Sequence, residues 1–543
     1  MSKKSMKIAV LGCGFGGLGS ILMLKEEGFD PICFEKTDQV GGTWCYREKA
    51  IEGVGSTMPT TIINHSKEMG AISNCPPPKE YNNYMRHSEL YQYITNFADE
   101  RDLMRHVRLN HEVVCCKRAE DYEDTGRWLV TVRNTISGVE TTDTYDAVVV
   151  SVGHINRSKI PVFPGMEEFK GKIVHTHELK GVSEYKGQDV VIVGMGCSAL
   201  DAAVEISRVA KQVYLSTKSG THVISRVGPH GYPIDYSVIR RYFMHLFDIL
   251  PAGLLGWLFQ KLYIDPIFDS KLYAVEPISH VFAKDPVQND HISSRLLSGA
   301  VLQKRNISRF TETGVVFDSE DHVTNADSVI MGTGYDWKFP FLEDGIVVQE
   351  KDLQINLYKC IWPPHLKHAT LAFVGFFLPF GPGFPVGELQ TRYIAQVFAG
   401  NVQLPPVDAM MKEIQKRHSN NVKRYLPDDK ISLKVDYIQF CDSLASEIGA
   451  KPNFLKLLFT DFPLFWKLVF GPSVSYQYRL QGPHKWDGAR EAIMTVDERL
   501  HFPLHRGKKQ KRPNVVQNVL NWLCSWFFGL FKFETRVIGT KNK

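Results

Sequence analysis

The feature that most constrains the fold of this chain is a glycine-rich turn close to its N-terminus. A short apolar segment, residues 8–11, leads directly into the pattern Gly-x-Gly-x-x-Gly at Gly12, Gly14 and Gly17. In such a turn the first glycine allows the tight bend, the second lets the backbone approach a pyrophosphate, and the third lets the next helix pack on the strand. Glu35 follows roughly 20 residues later, where an acidic residue binds a ribose hydroxyl. The sequence therefore predicts a dinucleotide site; the alternative is a glycine-rich turn beside an ordinary strand.

A further glycine pair follows Glu35 along the chain. Residues 39–44 read QVGGTW, and paired glycines allow the backbone to lie directly against a ligand. We therefore expect Gly42, Thr43 and Trp44 to contact the same cofactor.

A second nucleotide-binding pattern begins about 180 residues after the first. The apolar segment 189–193 leads into Gly-x-Gly-x-x-Ala, which marks Gly194, Gly196 and Ser198 as candidate cofactor-binding residues. The next apolar segment, 212–215, ends in Ser216, Thr217 and Lys218 instead of an acid. A lysine with two hydroxyls suits a 2′-phosphate, which favours NADP over NAD; the alternative is that Lys218 caps a surface turn.

Two such turns in one chain predict two dinucleotides, and hence a flavin that exchanges hydride with a nicotinamide. We expect an α/β fold with two Rossmann-like domains, of which the FAD domain is split in sequence and the NADP domain is inserted into it. A strand is expected over 141–150, and later strands over 328–331 and 370–375, with Gly334 and Tyr335 at a cofactor-binding turn. The expected boundaries are 1–160 and 331–450 for the FAD domain, 161–330 for the NADP domain, 451–513 for a membrane-facing region and 514–543 for an anchor helix and tail.

Two segments interrupt this α/β pattern with apolar residues. An aromatic, helical insertion at about 236–295 could line a substrate passage, rest on a membrane or cap the core. Residues 515–533 show a helical period of apolar residues behind a basic cluster at 506–512. Too many polar residues interrupt this segment for a confident spanning helix, so we expect it to lie in the membrane surface. A spanning helix and a helix docked on the protein are the alternatives.

Composition excludes several classes of function. The net charge of +5 is small for 543 residues and the basic residues are spread, so nucleic-acid binding is not expected. The 10 cysteines are scattered without a metal-type spacing, so no metal site is expected.

Several further motifs resemble those of the animal, microsomal flavin-containing monooxygenases. Residues 169–175 (FKGKIVH) match most of that family's fingerprint, and residues 62–69 (IINHSKEM) resemble its flavin-side asparagine motif. Residues 339–344 (FPFLED) follow the turn at 332–335 as in the family, and residues 481–490 (QGPHKWDGAR) resemble a late family segment. The resemblance extends over nearly the whole chain.

The resemblance implies an enzyme in which NADPH reduces FAD and the reduced flavin captures O2 as a C4a-hydroperoxide. That species would oxygenate soft nitrogen or sulfur atoms of small molecules, or carbonyl compounds in a Baeyer–Villiger reaction. Asn64 would then be the catalytic residue, hydrogen-bonding near the reacting edge of the cofactors, unless it is only a local backbone cap. The resemblance also implies the cytosolic face of the endoplasmic reticulum membrane, contact with lipid and a role in xenobiotic metabolism, and leaves a homo-oligomer open.

Three other functions compete with this one. A dithiol reductase needs two redox cysteines near the flavin, which the region after the first turn lacks. An NADPH oxidase that releases hydrogen peroxide stays open, because Leu179, Ser219 and Leu378 depart from the family pattern. A cofactor-holding membrane scaffold without turnover is the third alternative.

Overall fold

The chain builds two separate five-stranded parallel sheets. We describe it from a computed structural model over residues 6–505. The α/β class predicted from the sequence is confirmed. The basic cluster at 506–512 and the helix expected over 515–533 lie outside the described residues.

The first sheet combines strands from distant parts of the chain. Its central strands are continuous runs of buried β-branched and small apolar residues, as expected where helices cover both faces of a parallel sheet. Across the sheet the strands are Leu371–Phe373, Ala147–Val150, Ile8–Leu11, Ile32–Phe34 and Val107–Arg108. The edge strand thus comes from the second half of the chain and pairs in parallel with Ala147–Val150.

The second sheet is built from one continuous part of the chain. Across it the strands are Val301–Lys304, Gln212–Ser216, Asp189–Val193, Ser328–Met331 and Lys172–His175. All four pairings are parallel. We call the parts of the chain that carry the two sheets the first unit and the second unit.

The segment expected to form one strand over 141–150 forms two. Glu140–Tyr145, whose side chains are mostly exposed, joins an antiparallel sheet with His111–Arg118 and Trp128–Asn134. Ala147–Val150 is fully buried and joins the first sheet. The two strands meet at Asp146, whose carboxylate accepts a hydrogen bond from the backbone N–H of Lys7 at 2.8 Å. The change from polar to apolar residues therefore marks a change of sheet.

Two long helices pack closely behind the first sheet. A Cβ atom on Gly19 of the helix Phe15–Glu26 would lie 3.5 Å from Thr391 Oγ1 of the helix Gly383–Phe398, so the missing side chain lets the helices approach. The other longer helices are His87–Glu100, Cys197–Ile206, Ala252–Phe259, Val407–Arg424, Tyr437–Glu447, Phe454–Thr460 and Phe462–Phe470.

The insertion is helical in its first part. Ile234–Val238, Arg241–Met244, Leu246–Ile249 and Ala252–Phe259 are helices, whereas residues 265–291 are mostly turns, bends and irregular chain, apart from the short elements Val281–Ala283 and Val287–Gln288. The insertion packs on the C-terminal region through Tyr242 and Phe470, whose ring centroids are 5.6 Å apart. Between residues 6 and 505 no helix combines the length and apolar character that crossing a bilayer requires.

Candidate functional site

A cavity of about 1070 Å³ opens beside the carboxyl ends of the first sheet. This position, outside the strand ends of a parallel sheet, is where open α/β folds bind their ligands. The volume is large beside the roughly 300–1,000 Å³ of ordinary ligand pockets, so it suits a dinucleotide together with a second molecule. Among the sequence-predicted residues, those that line it are Gly12, Gly14, Glu35, Gly42, Thr43, Trp44 and Asn64.

The first glycine turn, residues 12–17, has the geometry that its sequence predicts. Gly12 has a φ of +91°, a conformation that L-residues rarely adopt. A Cβ atom on Gly17 would lie 2.0 Å from the carbonyl oxygen of Gly12, so only glycine lets the helix start this close to the turn. A Cβ atom on Gly14 would have only backbone atoms of Gly42 near it, Cα at 3.7 Å and N at 4.0 Å. Packing within the protein therefore does not require a glycine at position 14. The missing side chain instead leaves room for a ligand in the cavity that Gly14 lines.

Glu35 supports the first glycine turn from the neighbouring strand. Its Oε2 accepts a hydrogen bond from the backbone N–H of Cys13 at 2.8 Å. Its Oε1 accepts from the backbone N–H and the hydroxyl of Thr37 at 3.0 and 2.8 Å. Because each carboxylate oxygen can accept more than one bond, Glu35 retains acceptor capacity toward the cavity that it lines.

These residues fit the diphosphate and ribose of FAD. No side chain caps the helix Phe15–Glu26 at Gly14, so its first N–H groups are available to an anion. The buried hydroxyl of Ser151 also lines the cavity, and it has no hydrogen-bond partner within residues 6–505. An uncapped helix terminus and an unpartnered polar atom at one cavity are the pattern expected of a phosphate-containing ligand.

The second glycine turn, residues 194–199, repeats the geometry of the first. Gly194 has a φ of +105°, and a Cβ atom on Gly332 would lie 2.5 Å from the Cβ of Ala199. Gly196 and Ser198 are exposed at the start of the helix Cys197–Ile206, which no side chain caps. The site therefore fits a second diphosphate. Cys197 lines the principal cavity, so the two turns open onto the same space.

The structure places the three residues after the strand Gln212–Ser216 in different environments. Ser216 is buried and its hydroxyl donates to the carbonyl oxygen of Arg305 at 2.9 Å. Thr217 Oγ1 accepts from the backbone N–H of Gly220 at 3.0 Å, and Lys218 is exposed. Arg305, which the sequence analysis did not single out, is exposed beside them at the end of the neighbouring strand. Arg305 reaches the turn because its strand pairs with Gln212–Ser216 in the sheet. The sequence did not indicate this, because the two segments are almost 90 residues apart.

Gly334 and Tyr335 lie at a connection between the two units. Gly334 has a φ of +86°, and the strand Tyr335–Asp336 pairs with Arg157–Ser158. The ring of Tyr335 packs edge-on against the buried His175, with centroids 5.2 Å apart. Neither Gly334 nor Tyr335 is among the residues that line the principal cavity. Their contacts are those of a joint between units.

Asn64 is exposed to the cavity, on a loop whose neighbouring residues are buried. We call residues 62–70 the Asn64 loop. Among the described residues the side-chain amide of Asn64 makes no hydrogen bond, so it does not act as a backbone cap. The adjacent His65 packs edge-on against Phe384 at 5.6 Å, and burial lowers the pKa of its imidazole to about 4. At neutral pH the loop therefore presents a neutral imidazole and a free amide.

A further wall of the cavity is apolar and was not predicted residue by residue. Phe15 and Phe384 stack with ring centroids 3.9 Å apart and an interplanar angle of 8°. The insertion and the loop before the helix Gly383–Phe398 supply the rest of the wall, namely Ile234, Val238, Ile239, Phe259, Phe377, Leu378 and Phe380. Residues of the insertion thus line the cavity.

Asp235 is an acidic residue that lines the cavity beside this apolar wall. Its Oδ2 accepts a hydrogen bond from the backbone N–H of Ser66 at 2.6 Å. Burial raises the pKa of its carboxyl to about 6, although the bond from Ser66 favours the ionised form.

Within residues 6–505 no cluster of side chains could hold a metal ion.

Comparison with known proteins places this geometry in context. Residues 5–533 match the model of the flavin-binding monooxygenase-like family. The chain is 39% identical to flavin-containing monooxygenase 5 of Cavia porcellus over 521 residues, which cover 96% of each protein. It is also 39% identical to N-oxide-forming dimethylaniline monooxygenase 2 of Macaca mulatta, over 92% of this chain and 93% of that one. Among solved structures, S-allyl-L-cysteine S-oxygenase from Allium sativum aligns with a TM-score of 0.62 and 23% identity, over 92% of this chain and 99% of that one.

Proposed function

The chain belongs to the flavin-binding monooxygenase-like family, and on this premise we propose that it oxygenates soft nitrogen or sulfur atoms of small apolar molecules in the principal cavity. It is an enzyme whose cofactors are FAD and NADPH. The observation that carries the substrate class is the apolar wall, which lines the same cavity as the free amide of Asn64 and residues of both glycine turns. Uncharged amines and thioethers suit such a wall, and its side chains exclude water from the reacting atoms.

Each part of the cavity has a role in this proposal. The first glycine turn and the uncapped helix behind it would hold the FAD diphosphate, and Glu35 would hold its ribose. Gly42, Thr43 and Trp44 would lie against the same cofactor, and Gly194, Gly196 and Ser198 would hold the NADP diphosphate. When bound, FAD takes hydride from NADPH and activates O2, which is chemistry that the protein side chains do not supply. Asn64 would orient the reacting groups through its amide.

A comparison of three substrates tests the reaction class. With NADPH and air, the purified enzyme is expected to convert an aromatic tertiary amine and an aryl thioether to the N-oxide and the sulfoxide. Oxygenated product should approach one molecule per NADPH consumed. Product from an aryl ketone alone would favour Baeyer–Villiger oxygenation instead. Hydrogen peroxide equal to the NADPH consumed, with none of these products, would favour the oxidase.

We expect Lys218 to set the preference for NADPH over NADH. Thr217 and Lys218, with Arg305 beside them, would contact the 2′-phosphate, and a hydrogen bond to a charged group contributes roughly 1.5–3 kcal/mol. Lys218→Ala should therefore raise the NADPH KM about tenfold or more, whereas the NADH KM should hardly change.

Steady-state kinetics with both cofactors measure this effect. Lys211→Ala is a matched control, because Lys211 is also an exposed lysine, directly before the other end of the same strand, and it pairs with Asp189 at 2.7 Å. A Lys218 variant that raises both KM values equally would exclude a 2′-phosphate role.

We further propose that the enzyme works at the cytosolic face of the endoplasmic reticulum membrane, with its insertion against lipid. Trp257 and Leu262 are 55% and 60% exposed on the outer side of the insertion. The helix Phe454–Thr460 carries two more exposed apolar residues, Leu455 and Phe459. The insertion packs on the C-terminal region through Tyr242 and Phe470. The exposed apolar residues of the insertion and those of the helix Phe454–Thr460 therefore belong to segments that pack together. Exposed aromatic and aliphatic side chains of this kind favour a membrane surface.

Vesicle flotation tests this membrane surface. A chain truncated after residue 505 removes the contribution of the C-terminal segment and should still bind phospholipid vesicles weakly. Adding Trp257→Ser and Leu262→Ser should then lower binding about tenfold or more, since burying a large apolar side chain contributes roughly 1.5–3 kcal/mol. Ile136→Ser, at an 80% exposed position in a distant hairpin, should leave binding unchanged. If the Trp257/Leu262 double variant and the Ile136→Ser control lost vesicle binding equally, the insertion would be excluded as the lipid contact.

A further inference from the structure

The Asn64 loop belongs to the first unit but is held by side chains that follow strands of the second. Arg226 donates from Nη2 to the carbonyl oxygen of Ile62 at 3.0 Å and from Nε to that of Ile63 at 3.3 Å. These two carbonyl groups directly precede Asn64. The guanidinium thus grips the backbone on the N-terminal side of the residue.

Asp235 holds the same loop on its other side. Its Oδ2 accepts from the backbone N–H of Ser66 at 2.6 Å, two residues after Asn64. Its Oδ1 accepts from the backbone N–H of Tyr236 at 2.8 Å, which fixes the carboxylate plane. The backbone that carries Asn64 is therefore fixed at both ends by one short segment of the chain.

Arg226 is itself held by several hydrogen bonds, so it can fix the position of the Asn64 loop relative to the second unit. Its Nη1 pairs with Asp290 Oδ2 at 2.8 Å, and its backbone N–H donates to Asp290 Oδ1 at 2.7 Å. The hydroxyl of Tyr84 donates to the Arg226 carbonyl oxygen at 2.9 Å. Only 11% of the Arg226 side chain is exposed. A planar guanidinium held in this way has little freedom to follow a displaced loop.

Asn64 depends on this backbone support because its own amide makes no hydrogen bond among the described residues. An amide that positions reacting groups must be held within about 0.5 Å of its productive place. The contacts from Arg226 and Asp235 are charge-assisted, and bonds of that type are the stronger ones.

We propose that Arg226 and Asp235 are positioning residues that hold Asn64 in its oxygen-transfer geometry. The proposal rests on the proposed role of Asn64. It implies that the second unit, which would bind the nicotinamide cofactor, also controls how efficiently oxygen is transferred at the first unit.

The test measures hydrogen peroxide and oxygenated product per NADPH in the holoenzyme. Arg226→Lys keeps a positive charge for Asp290 but loses the pair of hydrogen bonds to the carbonyl oxygens of Ile62 and Ile63. It should raise the ratio of peroxide to product about tenfold, which is the factor expected for the loss of one charge-assisted hydrogen bond. Asp235→Val should do the same, whereas Asp235→Asn retains an acceptor for Ser66 and should restore most of the coupling. FAD content and the anaerobic rate of flavin reduction should stay within twofold of the parent.

A double-mutant cycle separates positioning from general damage. In an Asn64→Ala background, Arg226→Lys should change the ratio of peroxide to product by less than about twofold, because residues acting through one group are not additive. Arg118→Lys is the control, since Arg118 pairs with Glu343 elsewhere in the protein and should leave coupling intact.

Full additivity, or normal coupling in Arg226→Lys, would overturn the positioning role and leave that of Asn64 standing. Normal coupling in Asn64→Ala would instead overturn the role of Asn64 itself. Uncoupling in Arg226→Lys alone would then show that the arginine acts by another route.

Discussion

Gly14→Val is expected to give a folded but colourless protein. A Cβ atom at this position meets only backbone atoms of Gly42, at 3.7 and 4.0 Å, which is ordinary contact, so the polypeptide tolerates the side chain. The valine methyl groups would instead occupy the space that the FAD diphosphate needs against the backbone. Forcing extra methyl groups into a packed contact costs roughly 1–3 kcal/mol or more, and lost bonds to the phosphates add to this. Bound FAD should therefore fall at least tenfold.

The ratio of flavin to protein absorbance measures this loss, and thermal unfolding of the flavin-free protein shows that the fold persists. Gly196→Val is the matched control, because a Cβ atom there has nothing within 4 Å and the position lies in the second glycine turn. That variant should stay yellow but lose reduction by NADPH. Full flavin in Gly14→Val would show that the first turn does not hold the cofactor.

Asn64→Ala is expected to accept hydride from NADPH normally but to release most of the reducing equivalents as hydrogen peroxide. The amide can donate and accept, so it can orient polar atoms in a cavity from which water is excluded. One preorganised donor at a site of developing charge is worth about 3–4 kcal/mol, or roughly two to three orders of magnitude in the coupled rate.

Anaerobic reduction kinetics and the yields of peroxide and product measure these two effects separately. Asn134→Ala is the control, because the side chain of Asn134 accepts from the backbone N–H groups of Ile136 and Ser137 in a surface hairpin. It should affect stability alone. Normal coupling in Asn64→Ala would leave this residue without a catalytic role.

The sequence predicted those parts of the site that are local in the chain. Each glycine turn follows from a pattern of six residues, because a strand, a bend and a helix start are neighbours in sequence. The residues that hold Asn64 could not be predicted in this way: Arg226 lies more than 160 positions from the carbonyl groups that it contacts. Arg305 reaches the second turn only through the order of strands in the sheet.

Ser216 shows a second limit of sequence reasoning. Its hydroxyl suggested a phosphate ligand, but Ser216 is buried together with the preceding Leu215, and its hydroxyl donates to the carbonyl oxygen of Arg305. The segment 141–150 shows a third limit of sequence reasoning. A run of strand-forming residues does not reveal that its two halves join different sheets. The domain boundaries and the roles of individual site residues remain predictions.

The order of strands in the two sheets has a consequence for how the protein is made. The five strands of the second sheet leave the ribosome in one continuous stretch, so that sheet can close as soon as Ser328–Met331 has emerged. Ala147–Val150 must instead wait for its edge partner Leu371–Phe373, which at about 5–20 residues per second takes roughly 10–45 s. Throughout that time an apolar strand edge is open to pairing with other chains. The nascent protein is therefore exposed to aggregation at Ala147–Val150, and a chaperone that covers this strand would protect it until the first sheet is complete.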